Sequence, residues 1–107
     1  MTDLTARRAQ LMTRLGELDR RIHSIEDQLD DPRPKDWEDA AIESEGDEVL
    51  ESLGLQSEAE IRRIRAALER LRTGTYGECV ECGAEIAAAR LDLLPDTPFC
   101  KTCAQGH

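Results

Sequence analysis

The chain holds four cysteines in the order Cys79-x-x-Cys82, seventeen residues, then Cys100-x-x-Cys103, and no other feature so constrains what its C-terminal end can become. Each Cys-x-x-Cys turn can present two sulfurs to one ion. Two such turns supply the tetrahedral set of soft donors that Zn²⁺ takes at about 2.3 Å. Gly83 follows Cys82, where the first turn calls for a backbone conformation that costs glycine little. The second turn has no such glycine and rests on spacing alone. A disulfide framework needs an oxidising compartment, and Met1-Thr2-Asp3 opens no signal-peptide pattern, so a cytoplasmic protein is expected. A redox Cys-x-x-Cys belongs in a βαβ alternation, which this sequence lacks. Four thiolates leave no open coordination position. One structural Zn²⁺ is therefore expected, with Cys79, Cys82, Cys100 and Cys103 as ligands. The large apolar residues around it are few (Val80, Ile86, Leu91, Leu93, Leu94, Phe99), so metal binding, worth about 10–16 kcal/mol in small fingers, must supply much of the folding free energy there.

With 39% of its 107 residues hydrophobic, 3% aromatic and 35% charged, the chain is poor material for a filled globular core. A two-helix seam needs only a stripe of leucines. From Asp3 to Leu29 the apolar residues fall at Leu4, Leu11, Leu15, Leu18, Ile22, Ile25 and Leu29, the a/d rhythm of a coiled coil, with Arg8 at the one missing seam position. Asp30-Asp31-Pro32-Arg33-Pro34-Lys35 then stops the helix, because two prolines one residue apart cannot continue it. Asp36 reads as the N-cap of a second helix, with Asp39 where a capping-box acid would sit. That helix places Ile42, Val49, Leu50, Leu53, Ile61, Ile64, Leu68 and Leu71 at mostly helical spacing, and the register shifts across Gly54-Leu55-Gln56-Ser57. Gly74 reads as its C-terminal cap, with Arg70 and Arg72 in the last turn, where cations suit the helix dipole. The expected fold is mainly α, an antiparallel coiled-coil helical hairpin with a small four-cysteine zinc finger at its base. Residues 1–73 form the hairpin (helix 3–29, tip 30–37, helix 38–72 with a kink or short break near 54–57), and residues 74–107 form the finger with a short C-terminal segment.

Net charge is −9, and its distribution says more than its total. Asp36 to Glu60 carries ten acidic residues and no lysine or arginine, whereas Ile61 to Thr75 carries Arg62, Arg63, Arg65, Arg70 and Arg72 against Glu69 alone. The usual meaning of an acid run is a solvated helix face. Binding of nucleic acid needs a dominant cationic footprint, which this balance opposes. An enzyme is disfavoured as well, since His23 lies beside a seam position and no base is paired with a thiolate.

The hairpin, the tip Asp36-Trp37-Glu38-Asp39-Ala40-Ala41 and the finger residues Tyr76-Gly77-Glu78-Cys79-x-x-Cys82-Gly83, Ile86, Arg90-Leu91, Pro95 and Cys100-x-x-Cys103 together resemble the DksA/TraR family of bacterial transcription regulators. The resemblance implies a protein of the stringent response that binds RNA polymerase directly rather than DNA; a monomer with no direct sequence-specific DNA binding and no membrane contact is expected. It implies that the hairpin enters the polymerase secondary channel, with Asp36, Asp39 and Ala41 as the functional tip, and changes promoter-complex stability. Capping remains the structural account of Asp36 and Asp39, and Trp37 is either a tip contact or a staple over the helix start. Guanosine tetraphosphate is a co-effector in some members. The positions that face it fall here at Gln56, Arg63, Leu94 and Ala104, of which Arg63 alone is basic. Arg90 is expected to tie the finger to the helices through a carboxylate. The alternative reading is a zinc-stapled coiled-coil adaptor with a partner other than polymerase.

Overall fold

A computed structural model describes residues 4–29 and 40–106, with the side chains of the second stretch described from residue 48 onward. Helix α1 runs Leu4–Leu29 and α2 runs Ala40–Thr73, packed along one another in a body of 56 × 29 × 19 Å. Two short helices, α3 at Ala88–Leu93 and α4 at Lys101–Ala104, lie in the cysteine-bearing segment. Among the described residues there is no strand, only an isolated antiparallel bridge between Glu78 and Glu85. No described helix is long and apolar enough to cross a membrane. The expected tip at 30–37, the second-helix start at 38 and the Asp36 cap lie outside the described residues.

The seam follows the sequence rhythm on α1. Leu11, Leu18 and Ile25 are buried, Leu15 and Ile22 partly so, and across from them lie Ile61, Ile64 and Ala67, with Leu68 and Leu71 packed alongside. Leu4 is half exposed. The position ahead of Leu11 is held by buried Arg7, one residue from the expected Arg8, which is exposed. Four residues before Leu11, Arg7 shares the seam face as well as Arg8 does, three before it, and the finger beyond the helix start selects between them.

The break expected near 54–57 does not occur, since α2 continues through Gly54, Leu55, Gln56 and Ser57 as helix. The reason is that the seam on α2 reads 50, 54, 57, 61, 64, 68, 71, in alternating steps of four and three. Gly54 and Ser57 occupy two of those positions, the first with no side chain and the second with a small one. Gaps in hydrophobicity therefore look like a change of register while the register holds. Val49 and Leu53 flank the seam and remain exposed.

Ser57 is 2% exposed, and its hydroxyl has no hydrogen-bond partner among the described residues. A desolvated, unpaired hydroxyl costs about 1–3 kcal/mol. Alanine removes it and is also the better helix former. Ser57→Ala is expected to stabilise the protein by about 1 kcal/mol, read as a higher urea midpoint at unchanged slope. A lower midpoint would show that the hydroxyl finds a bond in solution.

The end of α2 is closed as its residues direct. Thr73 is the last helical residue, Gly74 takes φ +82°, and the Thr75 N–H donates to the Arg70 carbonyl at 2.9 Å. This is the six-to-one bond of a Schellman cap, which needs a left-handed residue where Gly74 stands.

Candidate metal centre

The first cysteine turn is built by backbone hydrogen bonds around Gly83. The Gly83 N–H donates to the Cys79 carbonyl at 2.9 Å, Gly83 has φ +76°, and the Cys79 N–H donates to the Ala84 carbonyl at 2.8 Å. A side chain at residue 83 would have to adopt a conformation that L residues rarely take. The second turn solves the same problem without glycine. Cys100 is the N-cap of α4, and its sulfur accepts from the Cys103 N–H at 3.5 Å. One turn of helix carries Cys103 back beside Cys100, and the Val80 N–H bond to the Pro98 carbonyl at 2.9 Å holds the two turns together.

The sulfurs of Cys79, Cys82, Cys100 and Cys103 all lie within 4.8 Å of one another, with Cys82 and Cys100 at 3.7 Å. A tetrahedron of Zn–S bonds near 2.3 Å has edges of about 3.8 Å. The donor set and its spacing thus fit one closed zinc site. Its electrostatics call for a cation. N–H groups of Cys100 and then Cys82 hold the Cys79 thiol down at about 6, and the Cys103 N–H likewise lowers Cys100. Cys103 is pushed well up by the neighbouring sulfurs of Cys82 and Cys79. The Ala84 amide pulls Cys82 down, yet the sulfurs of Cys79 and Cys100 together leave it raised. The backbone stabilises negative charge that four adjacent sulfurs cannot share alone. A divalent ion held by the four cysteines would remove that conflict by ionising all four.

Beneath the sulfurs is a small core of Cys79, Ile86 and Leu91, with Tyr76, Phe99, Cys100 and Cys103 packed on it. Tyr76 also packs on the hairpin core, and its hydroxyl donates to the Pro95 carbonyl at 2.8 Å. Three arginines reach from the helices to the segment that begins in α3. Arg7 Nη2 meets Asp92 at 2.6 Å, Arg63 Nε meets Asp96 at 3.3 Å, and Arg70 Nη2 approaches the Thr97 carbonyl at 3.5 Å. Arg90 was expected to make such a tie, but its Nε donates to the Phe99 carbonyl at 3.1 Å, a bond inside the finger. The sequence reading missed Arg7, Asp92 and Asp96. Their signal was faint: two acids beside the leucines of α3, and an arginine on the seam face.

The expected site residues are thus treated unequally. The four cysteines converge. Arg63 stands at the hairpin base, where it flanks a cleft of roughly 590 Å³ between α1, α2 and the segment after α3. In that cleft Arg14 makes a two-pronged bond to Glu60 (2.6 and 3.0 Å), which holds the Glu60 carboxyl below the usual range. Ala41 lies on α2, while Asp36 and Asp39 fall outside the described residues.

Two family models match. Residues 4–71 fit the DnaK suppressor protein-like N-terminal domain, and residues 74–107 fit the prokaryotic dksA/traR C4-type zinc finger. The structure of the transcription factor DksA2 from Pseudomonas aeruginosa superposes with a TM-score of 0.82 at 31% identity, covering 95% of this chain and 80% of that one. The solution structure of a DnaK suppressor protein from Agrobacterium tumefaciens C58 superposes at 0.71 with 43% identity, covering 100% of this chain and 96% of that one. An uncharacterized protein of Aquifex aeolicus (strain VF5) is 42% identical over 72 residues, 67% of this chain. The match spans 50% of that relative's length.

Proposed function

The chain belongs to the DksA/TraR family, whose members are regulatory factors rather than enzymes, and from that premise we propose that it is a bacterial transcription regulator acting by direct contact with RNA polymerase. The hairpin enters the secondary channel and its acidic tip, with Asp36, Asp39 and Ala41, alters the stability of promoter complexes. The observation that carries this reading is the double match, hairpin and finger in the same order along nearly the whole chain. Physics supports it. Two packed helices, each about 10–12 Å across, make a rod slim enough for a pore, and carboxylates brought near a Mg²⁺-bearing centre change its electrostatics. A zinc ion held by Cys79, Cys82, Cys100 and Cys103 would keep the finger in shape, with no open coordination position for chemistry.

The test is transcription from a ribosomal RNA promoter by purified polymerase, with the native protein or Asp39→Asn, and polymerase binding followed in parallel. Expected is an effect on initiation by the native protein and at least a tenfold weaker effect by the variant at equal binding. A variant as active as the native protein would return Asp39 to the role of a cap, and absence of binding by both would end the reading. The same assay with and without guanosine tetraphosphate examines the co-effector. Arg63, the single basic residue at the four positions concerned, is engaged by Asp96, so any nucleotide there competes with a carboxylate. The protein is read as a cytoplasmic monomer with no direct sequence-specific DNA binding and no membrane contact.

A further inference from the structure

On one side of the seam, toward the end of the hairpin away from the finger, α1 and α2 enclose a groove of roughly 350 Å³. Its apolar lining comes from Ile22, Ile25, Leu29, Leu50 and Leu55, with Gly54 in the floor. Two features set it apart from an ordinary helix boundary. Leu55 is 68% exposed, the most exposed large apolar side chain of α2 among the described residues. Gly54 leaves the floor open. A Cβ at residue 54 would stand 3.9 Å from Ile25 Cγ2, ordinary contact, so alanine fits and is much the better helix former, yet the position is left empty.

The rim has a single sign. Glu26 of α1 and Glu51 and Glu58 of α2 border the groove, and among the described residues no lysine or arginine lines it. Glu51 and Glu58 stand four residues before and three after Leu55, so both flank it on the same helix face. Such a rim repels phosphates and favours a cationic peptide. An apolar floor beneath an acidic rim fits a side-chain anchor flanked by lysine or arginine, with the anchor in a desolvated pocket and the charges outside it.

We propose that this groove docks a basic segment of RNA polymerase carrying one apolar anchor, and that Leu55 and the glutamates at 26, 51 and 58 are its specificity residues. This rests on the reading that the chain binds polymerase, and it adds a contact on the hairpin flank to that of the tip. Charge steers the segment in and makes binding salt-dependent, while the Leu55 wall sets how long it stays.

The probe is purified bacterial core RNA polymerase, titrated against fluorescently labelled protein from low to high salt. Leu55→Gln is neutral and helix-compatible, and Val49→Gln removes a comparably exposed apolar side chain (58%) from outside the groove. Leu55→Gln is expected to weaken binding at least tenfold and Val49→Gln less than twofold, with circular dichroism unchanged in both. Glu51→Lys with Glu58→Lys is expected to weaken binding and flatten its salt dependence. Native-like binding by Leu55→Gln overturns the proposal, as does equal loss in Val49→Gln. Sedimentation showing that Leu55 instead mediates self-association overturns it too. If the native protein fails to bind polymerase, the function reading falls and this proposal with it, a result distinct from binding that ignores Leu55.

Discussion

Removal of zinc by a chelator is expected to unfold residues 74–107 while most of α1 and α2 stays helical. The size of this effect follows from what else holds the finger. Its core has three buried residues, Cys79, Ile86 and Leu91, and the first is itself one of the four candidate metal ligands. Burying Ile86 and Leu91 contributes about 1.5–3 kcal/mol each. Ordering the finger's backbone costs conformational entropy that two such side chains do not offset. The backbone bonds around Gly83 and the Arg7–Asp92 and Arg63–Asp96 pairs close only part of that gap, since Asp92 is 68% exposed and exposed pairs are worth about 1 kcal/mol or less. A closed zinc site worth about 10–16 kcal/mol is the one contribution large enough to decide the outcome. Chelation should make four thiols reactive toward a thiol reagent, abolish amide protection from Glu78 to Cys103, and cost little ellipticity, because α3 and α4 together hold few residues. The base of the hairpin should loosen as well, because Tyr76 packs on both cores. A chelated protein whose finger amides stay protected would show that the apolar contacts suffice.

How far the sequence could be read depended on whether a feature announced itself chemically. The cysteine spacing did, since few arrangements other than a metal site use two Cys-x-x-Cys turns, and Gly74 and Gly83 marked the two left-handed positions that matter most here. The seam of α1 was legible because leucine and isoleucine fill it. That of α2 was not, because Gly54 and Ser57 occupy seam positions without contributing hydrophobicity, and a pattern of leucines cannot reveal a position held by hydrogen or hydroxymethyl. Arg7 and Arg8 were indistinguishable for a related reason. Either lies on the seam side of α1, and the choice comes from Asp92, distant in sequence and near only once the finger has folded. Arg90 went astray for the opposite reason. A lone arginine suggests a carboxylate, but the Phe99 carbonyl was nearer. The tip acids rest on the family resemblance, not on any feature of packing.

Leu18→Ala should be the most damaging single change in the hairpin. Leu18 has no exposed surface and sits mid-seam in a cluster whose buried members are Leu11, Leu18, Ile61, Ile64 and Ala67. Truncating a buried leucine costs about 2–5 kcal/mol, the loss of transfer free energy plus the cavity left behind. A two-helix seam offers few neighbours to collapse into such a cavity, but it also lies near solvent, so a value near the middle of that range is expected. Against a total stability of about 5–15 kcal/mol, this should lower the melting temperature by roughly 10 °C or more in the zinc-loaded protein. Leu53→Ala supplies the contrast. That side chain is 38% exposed and off the seam, and alanine is the stronger helix former, so its cost should stay below about 1 kcal/mol. Comparable losses from the two substitutions would mean that α2 is rotated about its axis relative to α1. The seam at 50, 54, 57 and 61 would then have to be redrawn through residue 53, with Gly54 and Ser57 returned to the surface.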